Sequence, residues 1–380
     1  MTDFLTSIFS TDGILVGTIA PFLLVLTIVV FVHEMGHYLV GRWCGIGVKA
    51  FSIGFGPELI GFNDSHGTRW RLSAIPLGGY VKFVGDMNAT STPPDQEELE
   101  ALTPAEQSVA FHTQAVWKRA LTVFAGPAFN FLLTIVVFAV MFMAYGRYVS
   151  EPMVAEVQPD SPAAMAGFQP GDRFVSVDGT PVDSFTDVQR IVSGRAGDEI
   201  SFVMLRNGEE VTLIATPRLS EQTDALGNVV RIGIIGVVNN EEMGQPRLIT
   251  YTPGQAVWEG IAETGHIIAR TGQFLKRFVT GREDRCQLGG PVRIAEMSGK
   301  AAALGFEWLV QLVALLSVGI GFLNLLPIPP LDGGHLVFYG IEAAIRRPVP
   351  ERLMEGVYRV GLLLVLAFMM FVFWNDIFGC

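Results

Sequence analysis

Charged residues are scarce in this sequence: they make up 17% of its 380 residues, whereas half of the residues are hydrophobic. That balance is too apolar for an ordinary soluble enzyme. The scarcity is concentrated in long stretches without any charge, among them 13–32, 120–146 and 308–331. A transmembrane helix needs about 20 mostly apolar residues. With a further apolar segment at 356–375, the sequence predicts a membrane protein with four spans.

Cysteine is equally scarce. The three cysteines, Cys44, Cys286 and Cys380, lie far apart in the chain. Their spacing fits neither a disulfide framework nor a thiolate metal site. The sequence therefore predicts three unrelated thiols.

Basic residues are absent from both ends of the chain. Residues 1–20 and 375–380 have no Lys or Arg, whereas 41–119 has seven and 346–352 has three. Because Lys and Arg in short loops mark the cytoplasmic side, we expect both termini to face outward and the end of the first span to face the cytoplasm. The lack of a basic leader and the length of the first span argue against a cleaved signal peptide.

The first span ends in the sequence His33-Glu34-Met35-Gly36-His37, an H-E-x-x-H pattern. On a helix the two histidines are one turn apart, so both rings can reach one metal. Glu34 lies beside them, placed to take a proton from water at the metal rather than to bind the metal. Ionisable residues at membrane depth are costly and indicate function. A catalytic zinc site needs three protein ligands and one open position, so a third ligand must come from elsewhere.

Asp332 is the outstanding candidate for that ligand. It follows the third apolar run, in which Pro327, Pro329 and Pro330 must break the helix. Broken helices are tolerated in membranes where they line a cavity. The paired glycines after Asp332 are expected to allow a close approach to the metal. By the charge argument, Asp332 and His37 emerge on the same, cytoplasmic side. Two histidines and a carboxylate also suit iron, but the H-E-x-x-H spacing favours zinc.

Residues 150–245 are expected to form a soluble domain between spans two and three. The motifs Ser161-Pro162-Ala163-Ala164-Met165-Ala166-Gly167 and Pro170-Gly171-Asp172 resemble a PDZ domain over about 154–216, and 231–237 is its expected final strand. PDZ domains bind chain ends by adding a strand to their sheet. The alternative is a domain that only packs or spaces.

The remaining segments are less specific. Residues 48–83 alternate apolar and polar positions and are predicted to form strands. Residues 84–116 form an acidic loop with room for one short helix. Residues 254–280 have helical apolar spacing, which predicts an amphipathic helix that lies on the outer membrane surface or packs against the PDZ domain.

Three motifs together resemble the site-2 protease family of intramembrane zinc metalloproteases. They are H-E-x-x-H in the first span, Gly126-Pro127-Ala128-Phe129-Asn130 in the second, and the Asn324 to Gly334 stretch in the third. The resemblance implies His33, His37 and Asp332 as zinc ligands, Glu34 as catalytic base and Asn324 near the scissile carbonyl. It is closer to the bacterial regulator-of-sigma-E protease, whose members carry a PDZ insertion. This chain has room for a single PDZ domain, whereas the best-known members have two.

The resemblance also implies a biological setting. We expect a multi-pass protein of the bacterial inner membrane, with the PDZ domain in the periplasm and the active site toward the cytoplasm. The expected reaction is the second cut of regulated intramembrane proteolysis, in single-span substrates such as anti-sigma factors, after a site-1-type protease has acted. Remnant signal peptides are a second substrate class. The partners are then these substrates, the first protease and the lipid bilayer, with no nucleic acid.

The predicted fold is a polytopic α-helical membrane protein with four spans, a membrane-associated β-rich segment after the first span, and one inserted α+β PDZ domain. The predicted divisions are 1–47 (first span), 48–83 (β-rich segment), 84–116 (acidic loop), 117–147 (second span), 150–245 (PDZ domain), 246–304 (amphipathic segment), 305–345 (third span) and 346–380 (fourth span).

An alternative function is a metal-binding membrane scaffold or transporter whose PDZ domain recruits partners. Glu34 discriminates the two functions, because transport needs metal ligands but no base. The internal repeat expected of a transporter is not evident in the sequence. Asn130 and Asn324 have alternatives of their own, since buried amides also cross-link helices by hydrogen bonds. His335 is expected to be a helix-start residue, with a supporting role behind the metal ligands as its alternative.

Overall fold

The computed structural model describes residues 14–85, 102–223, 229–239 and 246–379. Within those ranges the helices are α1 (Ala20–Trp43), α2 (Pro104–Val109), α3 (Val116–Tyr145), α4 (Pro162–Ala166), α5 (Phe185–Ser193), α6 (Pro253–Val279), α7 (Pro291–Leu304), α8 (Phe306–Asn324), α9 (Asp332–Ile345) and α10 (Glu351–Trp374). The strands are β1 (Val48–Asn63), β2 (Arg69–Phe83), β3 (Arg147–Val149), β4 (Glu156–Val157), β5 (Arg173–Val177), β6 (Thr180–Pro181), β7 (Ile200–Arg206), β8 (Glu209–Ala215), β9 (Arg218–Thr223), β10 (Val229–Ile234), β11 (Val237–Val238) and β12 (Arg247–Ile249).

Four segments of the described chain are long and apolar enough to cross a membrane. They are Val16–Trp43, Val116–Tyr145, Phe306–Asn324 and Arg352–Phe378. The predicted third span, 305–345, is divided: α8 ends at Asn324 and α9 begins at Asp332. The prolines between the two helices account for this break, because each removes a backbone donor and fixes φ.

The chain forms two compact units. The first is drawn from residues 1–138, 260–268 and 288–380, and the second from 139–259 and 269–287. The first unit contains the candidate site and most of the apolar helices. The second unit contains most of the predicted PDZ domain.

In the first unit, β1 and β2 form one sheet, but they do not pair as a simple hairpin. Ile53 lies opposite Gly79 on one side and opposite Leu72 on the other. Residues 58–63 then pair with residues 69–73. The first half of β1 is therefore sandwiched between the two halves of β2. The order of segments across the sheet is 79–83, 48–53, 69–73, 58–63.

This sheet packs on α1 through aromatic side chains. Phe51 stacks on Trp70 with ring centroids 4.4 Å apart, and Tyr38 of α1 meets Trp70 edge-on at 5.2 Å. Phe51 is fully buried. Such aromatic pairs add about 0.5–1.5 kcal/mol each beyond the burial of their area. The contacts fix the sheet against the helix that carries the two histidines.

Asp64, in the turn between β1 and β2, ties the sheet to α1. One carboxylate oxygen accepts hydrogen bonds from the Tyr38 hydroxyl (2.9 Å) and the Trp70 indole N–H (3.1 Å). The other accepts from the backbone N–H groups of His66 and Thr68. Burial by itself raises the pKa of the Asp64 carboxyl, but these hydrogen bonds hold that pKa well below its usual range. Asp64 therefore stays ionised at neutral pH. It holds the turn against Tyr38, the residue that follows His37 in α1.

The second unit is built on the four-stranded sheet β6-β5-β7-β8 with α4 and α5 beside it. Phe174 and Phe202 are buried in its core with centroids 6.0 Å apart. Ser161 caps α4, and Gly167 ends that helix in the left-handed region at φ 83°, where glycine is favoured. The stretch expected as one final strand, 231–237, is two strands: β10 pairs with β9, and β11 pairs with β4.

Asp172 of the Pro-Gly-Asp motif is a buried ion-pair partner in the second unit. Arg206 donates to its two carboxylate oxygens at 2.7 Å each, and the Gln169 N–H donates at 2.9 Å. Arg206 also donates to the Gly167 carbonyl. A buried carboxylate is tolerated only when paired in this way, so the motif has a structural role.

The amphipathic helix expected at 254–280 is present as α6. Near its end, Arg277 donates to the carbonyls of Gly194 and Ala196, at 3.2 and 3.0 Å. This end of α6 is part of the second unit and packs there against the residues that follow α5. Val257 and Trp258, near the helix start, are exposed, and their placement at the membrane surface stays a prediction.

The expectation of three unrelated thiols is wrong. Cys286 is disulfide-bonded, whereas Cys44 is a free, buried thiol. Spacing along the sequence gave no sign of the bond, because a disulfide requires only that two Cα atoms come within about 7 Å in the fold.

Candidate metal centre

Three side chains from two helices converge in the first unit. His33 and His37 lie one turn apart on α1, and Asp332 is the first residue of α9. The Nε2 atoms of the histidines are 3.2 Å apart. Asp332 Oδ2 lies 3.1 Å from His33 Nε2 and 3.6 Å from His37 Nε2. The three predicted ligands therefore form one cluster, although Asp332 lies 295 residues beyond His37 in the sequence.

The cluster has the dimensions of a zinc site. With zinc–ligand bonds of about 2.0–2.1 Å and tetrahedral angles, ligand atoms lie about 3.3 Å apart. The three measured separations bracket that value. Asp332 Oδ2 is buried and has no hydrogen-bond partner, which is costly for a carboxylate oxygen unless a cation takes that place. The donor set thus fits zinc.

Helix α3 supports both histidines from behind. The Nδ1 atom of His37 lies 2.9 Å from the carbonyl oxygen of Thr122. The side-chain amide of Asn130 lies 3.2 Å from Nδ1 of His33. Thr122 and Asn130 are two turns apart on one face of α3, and both contacts leave Nε2 of each ring directed at the cluster.

Glycine provides the space for this arrangement. A Cβ on Gly126 would overlap Nε2 of His37 and lie 2.8 Å from Nε2 of His33. A Cβ on Gly36 would overlap the carbonyl oxygen of Ala125 and lie 3.0 Å from Cβ of Phe129. Because real Cβ atoms are not found so close to other heavy atoms, α1 and α3 can approach one another only with glycine at both positions.

Glu34 lies between the cluster and the β2 strand. The backbone N–H of Val81 donates a hydrogen bond to its carboxylate. A Cβ on Gly79 would lie 3.3 Å from Cγ of Glu34. The catalytic-base candidate is thus held at the outer side of segment 79–83, whose other side pairs with residues 48–53.

Asn324, the last residue of α8, also reaches the cluster. Its amide nitrogen is 3.4 Å from Nε2 of His33. All five site residues expected from the sequence therefore surround one point: His33, Glu34, His37, Asn324 and Asp332. Their chemical roles remain predictions.

The paired glycines after Asp332 have a different role from the one expected. A Cβ on Gly333 would overlap the carbonyl oxygens of Leu325 and Leu326, and a Cβ on Gly334 would lie 2.6 Å from the Pro329 nitrogen. The glycines therefore let the start of α9 pack on the loop before it. The prediction that they allow a close approach to the metal is wrong, because the glycine that does so is Gly126.

His335 lies in the first turn of α9, as expected for a helix-start residue. Its Nε2 is 3.0 Å from the Tyr358 hydroxyl of α10, and its ring stacks on Tyr339 at 6.4 Å. These contacts link α9 to α10 next to Asp332.

Sequence reasoning assigned no function to Thr122, Gly126 or Val81. Gly126 lies within the quoted G-P-A-x-N motif, which offered a signal. Thr122 and Val81 act through backbone atoms, which every residue possesses, so no residue type could have indicated them.

Comparison with known proteins agrees with this geometry. The sequence model of the family described as "Peptidase family M50" matches residues 21–368 of this chain. A protein of Mesorhizobium japonicum named as a zinc metalloprotease is 78% identical over 364 residues, covering 96% of this chain and 99% of that protein. One of Brucella suis with the same description is 61% identical over 380 residues, covering 100% of both. Metalloprotease MmpA of Caulobacter vibrioides is 40% identical over 379 residues, covering 93% of this chain and 94% of MmpA.

Among solved structures, the PDZ domain of an SdrC-like protein from Listeria monocytogenes aligns with part of this chain. It covers 24% of this chain and 86% of that domain, at 20% identity and a TM-score of 0.18. A TM-score this low does not establish a shared fold.

Proposed function

The chain belongs to peptidase family M50, the site-2 protease family, and is a membrane zinc metalloprotease; from that premise we propose that it hydrolyses single-span membrane proteins near the cytoplasmic face of the bacterial inner membrane. The observation that carries the proposal is the position of Glu34, between the metal cluster and the outer side of segment 79–83. A scaffold or transporter needs no base there, and the family is one of proteases.

The residues divide the chemistry between them. His33, His37 and Asp332 would hold the zinc ion, which would lower the pKa of a bound water to about 7 and polarise the substrate carbonyl. Glu34 accepts the proton of the attacking water and returns it to the leaving amine. The Asn324 amide donates a hydrogen bond to the developing oxyanion. The position of each side chain beside the cluster supports its proposed role.

A substrate strand has a docking place beside Glu34. A transmembrane helix hides its carbonyls in i→i−4 hydrogen bonds, so the substrate must unwind before it can be cut. The unwound segment then pairs with residues 79–83, as extended peptides pair with sheet edges. That pairing replaces the bond from Val81 N–H to Glu34, which frees the carboxylate and places the substrate backbone beside the metal cluster.

Exposed apolar residues support association of the sheet with the membrane. On segment 58–63, Leu59, Ile60 and Phe62 are each more than half exposed. A soluble protein rarely presents so much contiguous apolar surface. Lipid contact at this end of the sheet accounts for it.

The orientation rests on charge and on Cys286. Basic residues concentrate between the first two spans, which supports a metal cluster that faces the cytoplasm. Cys286, just before α7, is disulfide-bonded, and disulfides persist in oxidising compartments such as the bacterial periplasm. Both arguments support a PDZ domain on the outer side, and we propose that it gates access there by the size or the chain end of the substrate.

A cleavage assay tests the substrate class. Purified full-length protein in detergent is given a tagged single-span protein either intact or already truncated on its outer side. We expect cleavage of the truncated form at least about tenfold faster, because the intact outer domain is held away from the site. Asp332→Ala should lose both metal and cleavage. Equal cleavage of the two forms would refute the second-cut role, and cleavage of neither would refute single-span substrates altogether.

Asp64→Asn should uncouple the sheet edge from the metal cluster. The amide keeps an oxygen for the turn but places an NH₂ group against the indole N–H of Trp70. Loss of a hydrogen bond to a charged acceptor costs about 1.5–3 kcal/mol, so we expect kcat/KM to fall about tenfold or more. Bound zinc should be unchanged, because no ligand lies on the sheet.

The matched control for Asp64→Asn is Glu58→Gln, on the same sheet. Glu58 pairs with Arg69 at a partly exposed position, and such pairs contribute little. We expect wild-type kcat/KM for this variant. An unchanged kcat/KM in Asp64→Asn would show that the tether does not position the edge.

A further inference from the structure

The side chain of Asn130 is fully buried and lies against His33 on the side of the ring away from the metal cluster. We propose that Asn130 is a positioning residue: its amide oxygen accepts the Nδ1–H of His33 and thereby holds this histidine in the tautomer that binds zinc through Nε2. This inference rests on His33 as a metal ligand and on no assumption about the substrate.

His37 shows which tautomer the site requires. Its Nδ1 faces the Thr122 carbonyl oxygen at 2.9 Å. A carbonyl oxygen only accepts hydrogen bonds, so Nδ1 of His37 carries the proton and its Nε2 has a free lone pair. That lone pair points into the cluster, as a metal ligand requires.

The same reasoning applies to His33. Its Nε2 lies 3.1 Å from Asp332 Oδ2 and 3.2 Å from Nε2 of His37. If this nitrogen binds the metal, the proton must be on Nδ1. The group that faces Nδ1 must then be an acceptor, and within the Asn130 amide only Oδ1 can accept.

The Asn130 oxygen is available for that role. Oδ1 is buried and has no hydrogen-bond partner, while the amide nitrogen faces His33. A half-turn of the amide exchanges the two atoms and gives the Nδ1 proton its acceptor. Metal ligands of this kind almost always donate their second N–H to such a partner, which fixes the ring and raises its basicity.

The backbone of Asn130 is held by hydrogen bonds, so the position from which its side chain extends is fixed. Its carbonyl accepts from the Ser317 hydroxyl at 2.9 Å and from the Thr134 hydroxyl at 3.0 Å. A Cβ on Gly321 of α8 would lie 3.1 Å from the Asn130 Cβ. Asn130 thus contacts α8 through its carbonyl oxygen and Cβ, and its amide group remains for His33.

Zinc affinity of the full-length protein in detergent, measured by chelator competition, tests the proposal. Asn130→Leu has a similar volume but no acceptor, and we expect its zinc affinity to fall 10–100-fold. Asn130→Asp keeps an oxygen toward Nδ1, and we expect it to bind zinc within about threefold of wild type or more tightly. Rescue by aspartate separates an acceptor from a residue that only fills space.

Two controls complete the design. Thr134→Val removes a hydroxyl from the same helix contact without touching His33, and should leave zinc affinity unchanged. His33→Ala should abolish tight binding; if it does not, the ligand assignment fails. Wild-type affinity in Asn130→Leu, or an equal loss in the leucine and aspartate variants, would overturn the role of Asn130 while leaving the protease function intact.

Discussion

Replacing Glu34 by glutamine is expected to lower peptide-bond cleavage by about 10²–10⁴-fold while zinc stays bound, because the general base is lost and the metal ligands are not. The glutamine oxygen can still accept the Val81 N–H, so the sheet edge should keep its place. The measurement is kcat/KM on the truncated single-span substrate, with bound zinc quantified in the same preparation.

Asp332→Ala is the matched control for Glu34→Gln. It removes a metal ligand rather than the base, so activity and zinc should be lost together. A Glu34→Gln protein that cleaves at the wild-type rate would show that Glu34 takes no part in proton transfer. One that loses zinc would show that Glu34 supports the metal instead.

Motif and charge predicted four of the five site residues that the structure brings together, and the family resemblance implied the fifth, Asn324. The spacing of His33 and His37 identifies a metal pair on a helix. The distribution of arginine and lysine then places Asp332 at the same membrane side, although it is nearly 300 residues distant. Both arguments work because ionisable side chains are rare in membrane segments, so each one present carries information.

The sequence did not reveal the order of the sheet in 48–83. Alternating apolar positions predict strands, but the pattern is the same whichever strands are neighbours. Only the fold shows that residues 48–53 lie between the two halves of β2, which leaves segment 79–83 beside Glu34. The location of the proposed docking place for a substrate therefore comes from the fold and not from the sequence.

Glycines were misread for a related reason. A glycine shows that some atom lies close to the backbone, but the sequence does not say which atom. The pair after Asp332 packs on the preceding loop, whereas Gly126, more than 200 residues earlier, faces the histidines. Position next to a ligand in sequence proved a poor guide to position next to the metal.

Gly126→Ala adds one methyl group, and we expect its effect on zinc affinity and cleavage to be among the largest that a single added methyl group can have in this chain. The added Cβ would overlap Nε2 of His37 and lie 2.8 Å from Nε2 of His33. Both contacts are at the atoms that bind the metal, so relief requires α3 to retreat or the rings to turn away. Mutation of a residue that only hydrogen-bonds to a metal ligand lowers metal affinity about 10–100-fold. Because the added methyl group would displace the ligand atoms themselves, we expect zinc affinity to fall by at least about 100-fold, and cleavage to fall with it.

Gly319→Ala, on α8, is the control for Gly126→Ala, since a Cβ at Gly319 would meet nothing within 4 Å. Alanine is favoured over glycine in helices by about 1 kcal/mol, so this variant should bind zinc and cleave as the wild type does, with equal or higher thermal stability. Zinc titration of both variants decides the matter. Wild-type zinc affinity in Gly126→Ala would mean that the histidine rings bind the metal in positions other than those they occupy against α3. The contacts of Thr122 and Asn130 with these rings would then be no evidence that the two residues support the metal site.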